Sequence, residues 1–235
     1  MKNGHFRIAV ALLSFITSPV YSDNLAHLVP VEPDFGVSSP LGEFFTATYE
    51  KSLFTKKNWL IRYYRADTPV NVTIAFSLYL EDHTVWVNVS HASPEMDPLI
   101  RDAAEEVSFD VSSVLKKVDL KSFDFPMPKS TATALCETWQ SLLSEVAPDP
   151  SLRDRVFTHG PLVILFAKKG SNQILTGRVP PSAEQDAKFR QVEEVFTDLM
   201  KAATASKTER AKLYRDIELR LQEIDKRLQE ERKVR

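Results

Sequence analysis

The sequence has few of the residues that build disulfide scaffolds and phosphate-binding loops. It contains one cysteine, Cys136, and six glycines among its 235 residues. A single cysteine cannot form an internal disulfide, so the small disulfide-stapled folds are excluded. The glycines are too widely spaced for a GxGxxG or GxxxxGK loop, and the GxSxG, HExxH and CxxC motifs are absent. We therefore expect neither a bound cofactor nor a metal site.

The main part of the chain also lacks an excess of basic charge. Residues 23–205 carry a net charge of −7, whereas residues 206–235 carry +3. Proteins that bind nucleic acid concentrate lysine and arginine in a patch or stripe that contacts phosphates. The charge pattern therefore predicts no nucleic-acid partner, and it separates an acidic body from a mildly basic tail.

The apolar runs are too short to span a bilayer, which needs about 20 residues. The first run, Ile8–Ile16, follows Lys2 and Arg7 and precedes Val20-Tyr21-Ser22. A basic start, a short apolar middle and small residues before a cleavage point are typical of a secretory signal peptide. We expect residues 1–22 to be removed by cleavage after Ser22. The mature chain should then have no membrane span and should be periplasmic or secreted. An uncleaved N-terminal anchor is the alternative.

Strand signals are concentrated in residues 43–91. Apolar and polar side chains alternate along Val70–Leu80, and the alternation resumes in residues 85–89 after a short connection. This period of two predicts a β-hairpin with one buried face. The aromatic-rich runs Glu43–Lys51 and Trp59–Arg65 are predicted to add two more strands, so this region should form an antiparallel sheet.

The following residues alternate between helix and strand signals. Helices are predicted from Ser93 to about Val107, from Ser130 to about Val146 and from Ser182 to about Ala203, and strands at Phe109–Val111, Leu120–Phe125, Pro161–Ala167 and Gln173–Val179. The pattern predicts an α+β fold, with antiparallel sheets packed by amphipathic helices. We expect one body over residues 23–205, with subdomains 23–107 and 108–205 as an alternative division.

The tail, residues 206–235, is predicted to be a long charged helix because it lacks glycine and proline. Five apolar residues recur in it with alternating spacings of three and four, as in a short coiled coil: Tyr214, Ile217, Leu221, Ile224 and Leu228. Three arrangements remain open. Residues 207–232 could mediate self-association or bind a protein partner, pack against the body of the same chain, or extend into solvent.

Candidate catalytic groups are limited to one histidine and two carboxylates. His159 precedes a glycine-proline turn, and Asp102 and Glu106 lie four residues apart on a predicted helix. Carboxylates paired with each other or with a histidine serve in acid–base catalysis. An exposed acidic helix face is the alternative explanation for Asp102 and Glu106. Cys136 follows the apolar stripe of its helix and is predicted to be a buried thiol.

Two aromatic residues of the hairpin suggest a recognition surface. Tyr79 and Trp86 lie opposite the apolar rows of their strands, and such side chains are frequent anchors in protein interfaces. Helices that cover this face would instead bury them. We expect an exported soluble protein that acts as a non-enzymatic binding module of the cell envelope, of inhibitor or immunity type. The alternatives are an envelope hydrolase with a carboxylate or histidine site and a structural oligomer joined through the C-terminal helix.

The signal peptide can be tested by determining the N-terminal residue of the exported protein. We expect Asp23, because cleavage should follow Ser22. A Val20→Arg variant should accumulate unprocessed, since it places a large charged side chain near the cleavage point. An exported wild-type protein that retains its initiator methionine and the following residues would contradict the prediction.

Overall fold

A computed structural model describes residues 28, 40–67, 72–105, 110–146, 162–170, 173–180 and 186–234. The predicted signal peptide, Glu106 and His159 lie outside these residues. No helix in the described part of the chain is long and apolar enough to cross a membrane.

The described residues form six helices and six strands, which confirms the predicted α+β class. In chain order they are α1 (Pro40–Ser52), β1 (Trp59–Asp67), β2 (Val72–Glu81), β3 (Thr84–Ser93), α2 (Met96–Glu105), α3 (Val111–Leu115), β4 (Asp119–Pro126), α4 (Lys129–Ser144), β5 (Leu162–Lys169), β6 (Gln173–Arg178), α5 (Ala187–Thr204) and α6 (Lys207–Val234).

The described strands pair antiparallel in one sheet, in the order β4-β3-β2-β1-β5-β6. The hairpin predicted from the alternating pattern is β2–β3, with Glu81 opposite Thr84. Its loop residues Asp82 and His83 both have positive φ, as a two-residue type I′ turn requires. Strands from both sides of residue 107 therefore belong to the same sheet.

Helices cover both faces of this sheet. The face that packs against α4, α5 and α6, here called the tail face, carries large apolar residues such as Phe76 and Leu78. The opposite face, here called the cap face, packs against α1, α2 and α3. It carries small residues such as Ala75 and Ala92 on β2 and β3, and larger ones such as Tyr64 and Ile164 on β1 and β5. Small side chains let the helices approach the strands closely, so β2 is buried on both faces although its sequence alternates.

Residues 43–51 are helical, and the prediction of a strand there was wrong. The buried residues Phe44, Thr48 and Ser52 of α1 recur every fourth position, which is a helical period. The aromatic and β-branched side chains of this segment favoured a strand. In the helix, however, the hydroxyl groups of its buried threonine and serine find hydrogen-bond partners. Thr48 Oγ1 donates to the carbonyl of Phe44 at 2.7 Å, and Ser52 Oγ donates to that of Thr48 at 2.6 Å.

The strand predicted at Phe109–Val111 was also wrong at its two described residues, because Asp110 is the N-cap of α3 and Val111 begins that helix. Asp110 caps this helix by accepting a hydrogen bond from the Ser112 amide at 2.9 Å. Phe109 lies outside the described residues.

The tail helix packs against the body of its own chain. Its five heptad residues are all buried in the core between α4 and α5: Tyr214, Ile217, Leu221, Ile224 and Leu228. This apolar row is here called the α6 seam. The residues predicted to mediate association therefore contact the same chain.

Polar contacts fix the position of α6 on both neighbours. Two threonines of α4 donate to carboxylates of α6: Thr131 to Glu218 at 2.6 Å and Thr138 to Asp225 at 2.9 Å. Glu145, directly after α4, accepts a hydrogen bond from Arg232 of α6 at 2.7 Å, and each of the three pairs is separated by 87 residues. This constant separation means that α4 and α6 run parallel. On the other side α5 runs antiparallel, and Lys188 near its start pairs with Glu231 near the end of α6 at 2.7 Å.

Replacing a residue of the α6 seam should destabilise the whole domain. We expect Ile224→Ala, which truncates a fully buried side chain, to lower the free energy of unfolding by about 2–4 kcal/mol. Leu219→Ala is the matched control, since Leu219 lies on the same helix but is 61 % exposed; its effect should be about 0.5 kcal/mol or less. Chemical denaturation measures both values. Equal stabilities for the two variants would show that α6 does not hold the body together.

Candidate functional site

The helices of the cap face cover one end of the sheet. A group of polar side chains lies on the same face, beyond the part that these helices cover. The helices lie toward Thr73, whose Oγ1 accepts a hydrogen bond from the Met96 amide at 3.0 Å. Toward the β2–β3 turn, six side chains from four segments come together. This polar cluster comprises Lys56, Tyr79, Asn88, Ser90, Ser122 and Asp124.

Strand register brings the members of the cluster together. Asn88 of β3 lies directly opposite Ser77 of β2 on one side and Asp124 of β4 on the other. Residues directly opposite in a sheet point to the same face, and so do residues two apart in one strand. Three strands therefore contribute neighbouring polar side chains, and Lys56 is added from the segment that precedes β1.

Asp124 connects the cluster. Its Oδ1 accepts hydrogen bonds from the Tyr79 hydroxyl at 2.8 Å and from Asn88 Nδ2 at 3.1 Å, and it lies 3.0 Å from Lys56 Nζ. The Lys56 ammonium also lies 4.8 Å from the centre of the Tyr79 ring, within the range of a cation–π contact. One carboxylate thus orients a phenol, an amide and an ammonium.

The serines of the cluster are bonded to the same amide. Asn88 Nδ2 donates to Ser122 Oγ at 2.7 Å, while Ser90 Oγ donates to Asn88 Oδ1 at 3.0 Å. The two serine oxygens are 3.2 Å apart. Their described contacts are with an amide and with each other, so these contacts supply no base that would activate either hydroxyl as a nucleophile.

The Tyr79 hydroxyl acts as a hydrogen-bond donor. Burial raises the pKa of Tyr79 well above its ordinary value, and the hydrogen bond to Asp124 and the charge of that carboxylate raise it further. The phenol is therefore protonated at neutral pH. The arrangement is suited to hydrogen bonding and charge recognition rather than to proton transfer.

A buried arginine continues the polar row across β1. Arg62 lies opposite Ser77, and its guanidinium stacks on Phe54 and Trp59 at 4.7 and 4.5 Å. Its Nη2 donates to the carbonyls of Phe54 and Lys56 at 2.9 and 3.2 Å. Burial lowers its pKa from 12.5 to about 10, although nearby Glu50 opposes the shift. These bonds hold the segment that carries Lys56 over the sheet.

The predicted recognition residues differ in their exposure. Tyr79 is only 4 % exposed, because Lys56 lies over its ring and Asp124 binds its hydroxyl. Trp86 lies opposite Tyr79 on the neighbouring strand and is half-buried. Of the two, Trp86 alone retains surface for a contact.

Of the three predicted catalytic residues, the structure describes Asp102 alone. Asp102 lies on the exposed side of α2, whereas Ile100 and Ala103 face the core. Glu106 and His159 lie outside the described residues. Within the described part of the chain, no group of three or more histidine, cysteine, aspartate or glutamate side chains is placed to hold a metal ion.

Strand β4 is the exposed feature that the sequence prediction missed. It forms one edge of the sheet, and Phe125 is its only buried residue. Leu120 and Phe123 are 39 % and 40 % exposed, on the cap face and the tail face respectively. Charged residues and proline typically protect an edge strand from pairing. Their presence in β4 was the sequence signal that could have identified it as an edge strand.

Two surface grooves lie elsewhere among the described residues. One, of about 520 Å³, runs along α5 and α6 beside Gln191 and Leu219. The other, of about 300 Å³, lies between α4 and the β5–β6 hairpin beside Gln140 and Leu175. Neither is lined by a member of the polar cluster.

No protein-family model, curated protein or solved structure matches this chain. Its chemistry must therefore be inferred from its own residues.

The one thiol is suppressed as a nucleophile. Cys136 lies on α4, packed against the core, and burial together with the charge of Glu137 raises its pKa from 9.0 to about 11. Because the thiolate is the reactive form, the folded protein should react slowly with an aromatic disulfide reagent at neutral pH.

The rate of this reaction should rise about tenfold per pH unit up to pH 10 without levelling off, since the thiol stays largely protonated below its raised pKa. The protein unfolded in denaturant is the control, and its rate should level off above about pH 9. A plateau at pH 9 in the folded protein would contradict the assignment.

Proposed function

We propose that this chain is an exported, non-enzymatic binding module of the cell envelope, of inhibitor or immunity type. The proposed binding surface is the exposed rim of β3 and β4, here called the β3–β4 margin, which comprises Trp86, Leu120, Ser122, Phe123 and Asp124. The observation that carries the proposal is the exposure of β4, in which every residue except Phe125 is exposed at the sheet edge.

The margin combines the two kinds of groups that protein interfaces use. Leu120 and Phe123 offer apolar surface on the two faces of the strand, and Trp86 adds an aromatic side chain beside Pro126. Asp124 adds a carboxylate held in place by three neighbours. Apolar anchors beside oriented polar groups are typical of protein recognition sites.

The polar cluster supports binding over hydrolysis. A hydrolase needs a nucleophile or base whose pKa suits its task. Instead, the Tyr79 phenol and the Cys136 thiol both have raised pKa values, and the Lys56 ammonium is paired with Asp124.

Export is supported by the first 22 residues and by the cysteine content. A signal-peptide pattern directs the mature chain across the inner membrane. A chain with a single cysteine cannot form an incorrect internal disulfide there. A structural oligomer joined through the α6 seam is less favoured, because such an interface would have to displace α4 and α5 from buried residues.

Affinity capture from the envelope fraction of the host tests the proposal. Immobilised mature protein should retain a specific protein, and Leu120→Ser should reduce that retention at least tenfold, as loss of an interface anchor does. Leu219→Ser is the matched control, because it removes an exposed leucine from α6; retention should be unchanged.

Equal retention by the two variants would place binding elsewhere on the chain. If the wild-type protein retained nothing above an immobilised unrelated protein, the binding function itself would be refuted.

A further inference from the structure

The main chain of β4 presents hydrogen-bonding groups at the open edge of the sheet. The Met127 amide donates to the Val85 carbonyl at 2.9 Å, so this opposite pair is a hydrogen-bonded pair. In an antiparallel ladder such pairs recur every second residue. Residues 123 and 125 therefore direct their main chain toward β3, whereas Leu120, Ser122 and Asp124 direct theirs away from it.

From this edge we infer that two copies of the chain associate by pairing β4 with β4 of the second copy. The two strands run antiparallel and are related by a two-fold axis that passes midway between the two Phe123 residues. The two sheets then form one continuous sheet, with the tail faces on one side and the cap faces on the other. An interface of this kind is isologous, so each contact away from the axis occurs twice.

The side chains of β4 are complementary to themselves in this register. Ser122 lies opposite Asp124 of the second copy on the cap face, where a hydroxyl can donate to a carboxylate. Phe123 lies opposite Phe123 of the second copy on the tail face. This is a non-hydrogen-bonded pair, in which side chains approach most closely, and aromatic cross-strand pairs are favourable.

Main-chain bonds join the strands on both sides of the Phe123 pair. Ser122 and Asp124 of the second copy form a hydrogen-bonded pair, and symmetry repeats it. Each pair exchanges two N–H···O bonds, so the main chains alone supply four hydrogen bonds.

Neighbouring registers are less favourable. A two-fold axis through Lys121 would place that ammonium against itself, and like charges directly opposite are destabilising. An axis through Ser122 would place Leu120 opposite Asp124 of the second copy. In the proposed register the two Asp124 carboxylates are only diagonal neighbours, and Lys56 at 3.0 Å offsets the charge of each.

The usual protection of an edge strand is weak at the centre of β4. Lysine and proline commonly block unwanted pairing. Here Lys121 is paired with Asp119 at 3.2 Å, and Pro126 lies at the end of the strand, where its carbonyl accepts a hydrogen bond from Tyr214. Among the described residues, neither a lysine nor a proline therefore blocks the main chains of Ser122 and Asp124 at the open edge.

This pairing does not depend on a foreign partner, and it uses the β4 edge instead of the buried α6 seam. A protein that binds the β3–β4 margin would compete with the second copy for the same strand.

Sedimentation velocity of the mature protein over a range of concentrations tests the inference. The wild-type protein should change from monomer to dimer as concentration rises. Ser122→Pro removes the amide that faces the open edge, which β3 does not use, and should weaken the dimer at least tenfold more than Ser122→Ala. Both variants lose the hydroxyl, so their difference isolates the main-chain bonds.

A second pair of variants keeps the test decisive if Ser122→Pro fails to fold. Phe123→Lys places an ammonium opposite itself and should yield a monomer. Ile174→Lys, which changes a 54 % exposed residue on the opposite edge strand β6, should leave the dimer intact. Circular dichroism checks that each variant is folded.

A wild-type protein that stays monomeric overturns the inference. So does a dimer that survives Phe123→Lys, or one that is lost in Ile174→Lys. These outcomes are separate from envelope capture. A monomer that still captures a protein overturns the pairing alone. A protein that dimerises normally, but captures nothing at concentrations where it is monomeric, overturns the binding function alone.

Discussion

Burial of the α6 seam between α4 and α5 is the constraint on which the tail face depends. With α6 in place, α4 and α5 are held over the sheet, and Phe196 of α5 packs edge-on against Phe76 of β2 and Trp139 of α4, with ring centres 5.6 and 5.3 Å apart. In a closely packed core, truncating a single buried side chain lowers the free energy of unfolding. The charged tail is therefore a structural part of the domain.

On β2 and β3 the two faces of the sheet differ in side-chain size, and this difference positions the candidate site. Large apolar residues on the tail face need three helices to bury them. On these two strands the cap face carries alanine, serine and asparagine, and its helices cover them toward Thr73 and Ala92. The polar cluster lies where that cover ends, so its members bond to one another. Asp124 joins the cluster to the exposed strand β4.

Local periodicity predicted the elements whose burial follows the local pattern. The alternation in β2 and β3 gave the hairpin, and the heptad spacing gave the α6 seam, although not which surface would cover it. Helix α1 was missed because its aromatic and β-branched residues favour strands, and tertiary packing overrides such propensities. The polar cluster was missed because Lys56, Tyr79 and Asp124 are far apart in sequence. Strand order and register, which arise from long-range pairing, bring them together.

The parallel alignment of α4 and α6, whose hydrogen-bonded side chains lie 87 or 88 residues apart, has a consequence for biosynthesis. Chains emerge from the ribosome with the N-terminus first, so the six described strands are all made before α6 is available. Until then the groove between α4 and α5 lacks its apolar filling, and the tail face cannot reach its final packing. Completion of this fold is thereby coupled to the synthesis of α6, the last of the described helices.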